Sequence, residues 1–304
     1  MKIVLAGGTG FLGRPLAEAL ARDRHEIVVL TRDGGAKPPP DGARAVPWLP
    51  NGAPGPWAAE IDRADAIVNL AGESIAARRW SAEHKRRILD SSINATRSLV
   101  EAVRAAATPP PVFVSASAVG YYGPLGDEIA TEATPAGSDF LARVCAQWEA
   151  EAKRASTLPG TRVACIRTGL VLERNGGALP QMLPPFKLGA GGPVGSGRQY
   201  WPWIHREDWI NLVRWTLQTA AASGPINATA PNPVTNREFA QALGRALHRP
   251  AFMPAPAFAL RLMLGEMADA LLLSGQRAVP AKAEHLGFAF RFARLDEALR
   301  AIFT

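Results

Sequence analysis

Residues 2–13, Lys-Ile-Val-Leu-Ala-Gly-Gly-Thr-Gly-Phe-Leu-Gly, decide the fold, because they join a buried strand directly to a glycine-rich helix start. The run from Ile3 to Leu5 is apolar without alternation, which is typical of a central parallel strand covered on both faces. Gly7, Gly10 and Gly13 then allow a tight turn, a close approach to a ligand and close packing of the helix on the strand. Free amides and the helix dipole make this turn a predicted pyrophosphate site.

The rest of the chain alternates strand and helix patterns, which predicts a parallel sheet with helices on both faces. Strands are expected at 26–31, 45–48, 66–72, 112–115, 162–167 and 226–229, with a short one after Phe288. Helices are expected at 14–22, 81–106 with a break or bend near Ser91 and Ser92, 138–156, 209–219 capped by Asp208, 235–247 opened by a capping box at Thr235, and at the C-terminus. Residues 175–204 are rich in Gly, Pro and Trp and are expected to form a loop region.

These elements predict a Rossmann-type, doubly wound α/β fold with a smaller C-terminal α/β substrate region. The dinucleotide-binding domain is expected to cover 1–172, together with 205–231, and the substrate-binding region 173–304. The two cysteines, Cys145 and Cys165, are too few for a disulfide framework or a zinc site, so we expect a reducing cytoplasm and no metal. We also expect no membrane segment, because charged residues interrupt the apolar stretch 256–273.

The net charge of +7 raises the question of a nucleic-acid partner. The basic residues are scattered, and the densest cluster, 85–87, lies beside Glu83 and Asp90 without interleaved aromatic residues. A single-strand binder needs such an aromatic platform. We therefore expect no nucleic-acid partner, and a small-molecule substrate instead. The sequence leaves a homodimer open.

Together these motifs resemble the extended short-chain dehydrogenases/reductases, over essentially the whole chain. The cofactor motif of that superfamily is similar to 7–13, its strand-four motif to 69–72 and its serine region to 115–123. Four further segments, 117–123, 191–197, 202–205 and 229–236, are similar to an atypical branch, the epimerase family proteins, whose C-terminal DUF1731 region Gln276 to Ile302 resembles. The resemblance implies cofactor contacts from Gly7, Thr9, Gly10, Phe11, Leu12, Gly13, Leu70, Ala71, Gly72, Gly169, Leu170 and Val171.

The end of the second strand bears on the choice of nicotinamide cofactor. NAD-binding folds place an acidic residue there to bind the ribose 2′-hydroxyl. This chain has Thr31 and Arg32, a hydroxyl and a planar cation that suit a 2′-phosphate, and we therefore predict NADP(H). Asp33 next to them leaves NAD(H) as the less favoured alternative.

The superfamily transfers protons with a Tyr-x-x-x-Lys pair and an upstream serine. If Glu149 aligns with the glutamate that follows this pair in the family, Leu141 replaces the tyrosine and Cys145 replaces the lysine. Leucine cannot transfer a proton, so the standard mechanism does not apply. The remaining candidates are Ser117, with Tyr121 or Tyr122 as the missing acid; Cys145 also reads as a small core residue.

Weaker candidates complete the predicted site. Relatives carry arginine or asparagine at the position of Ser92, so a contact is either missing or supplied by Arg87. Lys187, Arg198 and Gln199 flank the glycine-rich loop 189–197, which is interpreted either as a nest for an anionic substrate group or as a solvated lid. His205 with Asp208 is interpreted as a structural pair.

The sequence therefore predicts an NADP(H)-binding oxidoreductase, or an epimerase- or dehydratase-like enzyme, with an unknown small substrate. Because the tyrosine and lysine are replaced, the alternative is a non-catalytic NADP(H)-binding sensor or regulatory protein.

Overall fold

The computed structural model describes residues 1–32, 38–158 and 160–304. Its main feature is a seven-stranded parallel sheet with the order β11-β7-β5-β4-β1-β2-β3. The strands are β1 (Lys2–Ala6), β2 (Glu26–Thr31), β3 (Ala43–Pro47), β4 (Ala66–Asn69), β5 (Val112–Ala118), β6 (Ile129–Ala130), β7 (Arg162–Thr168), β8 (Leu170–Leu172), β9 (Tyr200–Trp201), β10 (Trp203–His205), β11 (Gly224–Ala228), β12 (Val234–Thr235) and β13 (Arg277–Ala278). The short strands form three two-stranded pairs, β10 with β8, β12 with β9 and β13 with β6.

Helices cover both faces of this sheet. They are α1 (Gly13–Arg22), α2 (Ala82–Ala105), α3 (Phe140–Lys153), α4 (Leu179–Lys187), α5 (Arg206–Gln218), α6 (Asn236–Leu247), α7 (Ala257–Leu264), α8 (Glu266–Ala268), α9 (Ala281–His285) and α10 (Leu295–Phe303). Short 3-10 turns occupy Pro56–Glu60, Val119–Tyr122 and Arg154–Thr157, and a π-turn occupies Asp269–Leu273.

The apolar run of β1 divides between two cores, as the strand's period of two requires. Ile3 and Leu5 join the core beneath α1 and α5, whereas Val4 and Ala6 join the core beneath α2 and α3. The order of the strands reverses at β1, which pairs with β2 on one side and β4 on the other. The predicted doubly wound fold is therefore confirmed, with its switch point between β1 and β4.

A third core holds the C-terminal part of the chain. It combines Leu179, Leu183 and Phe186 of α4 with apolar side chains of α6 and α10. The predicted loop 175–204 thus contains a helix. The apolar residues of α4 have helical spacing, but Pro184 and Pro185 within the segment argue against a helix in the sequence.

Three other sequence expectations need correction. Helix α2 runs from Ala82 to Ala105 without a break, so a break near Ser91 and Ser92 is wrong; both hydroxyls donate to the Ile88 carbonyl within the helix. The N-cap of α5 is His205 and not Asp208, whose carboxylate accepts the amides of Arg291 and Phe292. Segment 288–294 forms no strand. The capping box at Thr235 is confirmed.

Candidate functional site

The glycine turn between β1 and α1 lies at the switch point of the sheet. Gly7 has a φ of 80°, in the left-handed region, and its carbonyl accepts the amide of Gly10 at 3.0 Å. A Cβ on Gly13 would lie 2.1 Å from that same carbonyl oxygen. Helix α1 has no side-chain cap and no acidic residue in its first turn. The Arg14 amide donates to the Gly10 carbonyl and Pro15 has no N–H, so the Gly13 amide is the one of the first three that remains for an anion.

The turn after β4 lies directly beside the glycine turn. A Cβ on Gly7 would come within 2.7 Å of the Leu70 carbonyl group. Asn69 fixes this turn, since its Oδ1 accepts the amide of Ala71 at 3.1 Å and its Nδ2 donates to Thr96. The two segments that the sequence assigns to a dinucleotide therefore meet at the carboxyl ends of β1 and β4, where doubly wound sheets bind their ligands.

The Phe11 ring connects the glycine turn to the segment after β8. Cβ atoms added to Gly176 and Gly177 would lie 2.5 Å and 2.9 Å from this ring, so both residues must be glycine for the ring to sit there. Gly177 also lies beside the carbonyl of Val171, at 3.4 Å from the built Cβ. The amides of Gly169 and Leu170 are used by the carbonyls of Ala228 and Pro202. Any contact of residues 169–171 with a cofactor would therefore come from groups other than these two amides.

The end of β2 presents one buried and one exposed residue. Thr31 is buried, with its carbonyl accepting the amide of Trp48, and Arg32 is exposed and makes no ion pair with any residue that the structure describes. Asp33, the residue that kept NAD(H) open, lies outside the described residues.

A buried ion pair lies beneath the serine region. Glu149 and Arg167 are 1% and 2% exposed and bond in a fork, with distances of 2.7 and 2.9 Å. The Ser117 hydroxyl donates to Glu149 Oε1 at 2.8 Å. This hydroxyl is thus already engaged with a carboxylate in the protein interior.

The two tyrosines have different surroundings. The Tyr122 hydroxyl donates to Asn227 Oδ1 at 2.7 Å and accepts from Arg167 at 3.0 Å. Burial raises the pKa of Tyr122 to about 12. The Tyr121 ring lies over the Arg167 guanidinium, 3.4 Å from ring centroid to Cζ, and is partly exposed. Of the two tyrosines, Tyr121 is therefore the one whose hydroxyl has no hydrogen-bond partner among the described residues.

The helix that carries the proton-transfer pair in relatives is α3. Cys145 is buried, and burial raises the pKa of its thiol to about 12, so it stays protonated at neutral pH. This burial favours the interpretation of Cys145 as a core residue over a catalytic role. Leu141 packs against Gly120, where a Cβ would be 3.3 Å from Leu141 Cβ.

The remaining predicted cofactor residues lie on α2. Ser92 is buried beneath Gly72, 3.1 Å from the Cβ built there. Arg87 pairs with Glu83 at 2.9 Å, and its buried Nε has no hydrogen-bond partner within 1–32, 38–158 and 160–304. Arg87 therefore has one buried donor without a partner in the part of the chain that the structure describes.

Several amides of the loop 189–197 are already engaged within the protein. Its amides at Val194, Gly195 and Gly197 already donate to Asn236, Ala255 and Val194. The Gln199 amide donates to the carbonyls of Val194 and Leu272, whereas Lys187 and Arg198 are exposed. Gln199 therefore holds this loop on the segment around Leu272, and both interpretations of the loop, an anion nest and a solvated lid, stay predictions.

The His205–Asp208 pair is structural, as interpreted from the sequence. Nδ1 of His205 accepts the amide of Glu207 at 3.2 Å, and burial lowers the pKa of the imidazole. Burial likewise raises the pKa of Asp208. Neither group makes a catalytic dyad, since both are engaged by backbone amides.

Among the described residues, no group of three or more His, Cys, Asp or Glu side chains could hold a metal ion. No helix in this part of the chain is long and apolar enough to cross a membrane.

Sequence reasoning missed Glu149 and Arg167 as site residues, and also the pair Gly176–Gly177. A charged residue at the end of the apolar strand 162–167 is the signal that could have identified Arg167. The glycine pair has no signal by itself, since only the fold brings Phe11 onto it.

The seven-stranded parallel sheet, with a glycine turn and an uncapped helix at its switch point, makes this a Rossmann-type α/β protein. The NAD dependent epimerase/dehydratase family matches residues 3–228, and the domain of unknown function DUF1731 matches residues 255–302. The chain belongs to this NAD dependent epimerase/dehydratase family, among the members that carry a DUF1731 region.

Named relatives agree with this assignment. An Arabidopsis thaliana protein, "Epimerase family protein SDR39U1 homolog, chloroplastic", is 42% identical over 99% of this chain and 86% of its own length. The crystal structure of human epimerase family protein SDR39U1 with NADPH has a TM-score of 0.89 and 37% identity, over 99% of both chains. A nucleoside-diphosphate sugar epimerase from Corynebacterium glutamicum has a TM-score of 0.79 and 34% identity, over all of this chain and 58% of its own.

Proposed function

We propose that this protein binds NADP(H) at the switch point and acts on a small substrate as an oxidoreductase or an epimerase- or dehydratase-like enzyme. The observation that carries the proposal is the uncapped start of α1 beside an exposed Arg32 at the end of β2. The bound nicotinamide would supply hydride transfer. The human relative that was crystallised with NADPH supports the choice of cofactor.

The chain offers a group for each part of such a cofactor. The Gly13 amide at the start of α1 would face the pyrophosphate, because Gly10 leaves the approach free of side-chain atoms. The Arg32 guanidinium would pair with the 2′-phosphate. The turn at Leu70 and Ala71 would border the adjoining part of the cofactor.

Cofactor preference tests this assignment. Wild-type protein and Arg32→Glu are titrated with NADPH and NADH, with bound-cofactor fluorescence as the readout. Because a lost charge-assisted contact is worth about 1.5–3 kcal/mol, we expect NADPH affinity to fall about 10- to 100-fold and NADH affinity to change little. Arg22→Glu, at the far end of α1, is the control for net charge and is expected to leave both affinities unchanged. Equal loss of both cofactors in Arg32→Glu contradicts the assignment.

A second function, that of a non-catalytic NADP(H) sensor, is favoured by one group of observations. Leu141 and Cys145 replace the family's proton-transfer pair, and the hydroxyls of Ser117 and Tyr122 are engaged in the interior. Turnover of NADPH with a panel of carbonyl compounds or nucleotide sugars separates the two. Turnover that Ser117→Ala abolishes supports the enzyme, whereas tight cofactor binding without turnover, together with a cofactor-dependent protein partner, supports the sensor.

Cytoplasmic residence is part of the same proposal. It is supported by two free cysteines, both buried and apart, as is usual in a reducing compartment.

A further inference from the structure

A small cavity lies between the start of α3 and the segment 266–274. Its volume is about 220 Å³. It is lined by Trp80, Pro124, Asp139, Phe140, Leu141, Glu266, Asp269, Ala270 and Ser274. None of these residues belongs to the glycine turn or to the loop 189–197.

The cavity nevertheless lies next to the site of chemistry in the fold. Leu141, which stands where the family's tyrosine stands, forms part of its wall and packs against Gly120 just beyond β5. Pro124 follows the tyrosine pair by two residues. A molecule in this cavity would therefore sit at the carboxyl end of β5, beside the position from which relatives transfer a proton.

The size of the cavity limits what it can hold. Pockets for drug-sized ligands measure roughly 300–1,000 Å³. A nucleoside-diphosphate sugar is at least as large as a drug-sized ligand, so it needs a pocket larger than this cavity. Trp80 and Phe140 form one aromatic wall, with ring centroids 5.1 Å apart in an edge-to-face arrangement. The Trp80 indole donates to the Ile75 carbonyl at 2.8 Å, which fixes that ring. A compact ring compound fits such a wall.

The charged residues of the lining also limit which ligands the cavity can hold. Three carboxylates, those of Asp139, Glu266 and Asp269, belong to the lining, and none of its described residues is a cation. Glu266 pairs with Lys85 at 2.7 Å, and Lys85 Nζ also lies 5.3 Å from the centroid of the Phe140 ring. Both carboxylate oxygens of Asp269 accept from Arg261. Asp139 uses one oxygen to cap α3. The acceptor oxygens that remain, one on Asp139 and one on Glu266, favour hydrogen-bond donors and disfavour a ligand phosphate or carboxylate.

We propose that this cavity is the substrate subsite and that it takes a compact ring compound that carries hydroxyl or amino donors and no phosphate or carboxylate. The inference rests on the proposed function, because only an active enzyme has a substrate. It departs from the nucleotide-sugar substrates that the names of structural relatives suggest, on the grounds of volume and lining charge.

Three probes with the same ring test the cavity: benzyl alcohol, benzylamine and benzoate, with UDP-glucose as a competitor. Binding is followed by ligand-observed saturation-transfer NMR, on protein with and without NADPH. We expect signals from benzyl alcohol and benzylamine, at least fivefold weaker signals from benzoate, and no displacement by UDP-glucose. Equal binding of benzoate, or displacement of benzylamine by UDP-glucose, overturns the proposal.

Two variants tie the signals to the cavity. Ala270→Trp fills it and should remove the benzylamine signal, whereas Ala301→Trp, on the exposed face of α10, should keep it. Glu266→Gln, a mild change of an exposed side chain, should weaken benzylamine relative to benzoate even if the filled variant folds poorly. Benzylamine signals that persist in folded Ala270→Trp, or an unchanged ratio in Glu266→Gln, overturn the proposal.

Failure of the proposed function gives a different result. If the protein does not bind NADP(H), the cofactor titration fails while the ring probes on cofactor-free protein still report on the cavity. If only the cavity assignment is wrong, NADPH binds normally and the ring probes fail.

Discussion

At the scale of single residues, the Glu149–Arg167 pair decides which candidate groups are free to act. The pair is fully buried and uses its carboxylate and guanidinium on each other, on Ser117 and on Tyr122. A buried pair of this kind is costly to break, since removing one partner leaves an uncompensated charge. The Tyr121 ring, lying over the same guanidinium, is held in place by it.

The two neighbouring tyrosines should therefore behave differently on mutation. Tyr122→Phe leaves Asn227 and Arg167 each short of a partner in the interior, and we expect the free energy of unfolding to fall by about 1–3 kcal/mol. Tyr121→Phe keeps the stacked ring and should stay within about 0.5 kcal/mol of wild type. Urea unfolding of both variants measures this. The prediction is wrong if the two variants lose equal stability.

The sequence could predict the glycine turn residue by residue, because every group in it lies within one strand and one helical turn. It could not predict the engagement of Ser117 and Tyr122, since their partners lie 32 and 105 residues further along the chain. Partners so distant are brought together only by the sheet. The pairing of Phe11 with Gly176 and Gly177 is hidden for the same reason.

At the scale of elements, helix caps show how far local reasoning reaches. The capping box of α6 could be predicted because Thr235 and Glu238, which form its hydrogen bonds, lie only three residues apart in the sequence. For α5, the sequence favoured Asp208, the better capping residue by type. The structure uses Asp208 for a contact 83 residues away and leaves the cap to His205. The long-range contact of Asp208 with Arg291 therefore decides its role, and not its preference for the capping position.

The His205 cap makes the stability of α5 depend on pH. Nδ1 can accept the Glu207 amide only when it is unprotonated, and burial lowers the pKa of His205 from its ordinary 6.5. The folded state then binds fewer protons than the unfolded state. The contribution is present in full above pH 6.5 and is lost as the pH falls through the lowered folded pKa.

We therefore compare wild type with His205→Asn, which keeps a capping side chain but does not titrate. At about pH 8 the two should agree within about 1 kcal/mol. Between about pH 7 and pH 5 wild type should lose more unfolding free energy than the variant. Asp208, whose pKa burial raises, contributes in the opposite direction, but it is present in both proteins. Parallel pH profiles would show that the imidazole has no such role.

At the scale of the whole molecule, the C-terminal region is joined to the sheet by a few specific bonds. Glu132 receives the backbone amides of Asn227 and Lys282, and Asn227 in turn donates to the Val279 carbonyl. The Asp208 carboxylate receives the amides of Arg291 and Phe292, each at 2.9 Å. The last contact links α5, which packs on the sheet, to the segment that leads into α10.

Replacing Asp208 should therefore loosen the C-terminus before it affects the sheet. Asp208 is 1% exposed, and Asp208→Ala leaves two backbone amides without their charged acceptor, so unfolding free energy should fall by about 1.5–3 kcal/mol. Hydrogen exchange should quicken in residues 288–304 and stay slow in β1 and β4. Asp296→Ala, which breaks only the exposed pair with Arg245, is the control and should cost less than about 1 kcal/mol. Exchange that quickens equally across the central strands would mean that the C-terminal region and the sheet unfold as one unit.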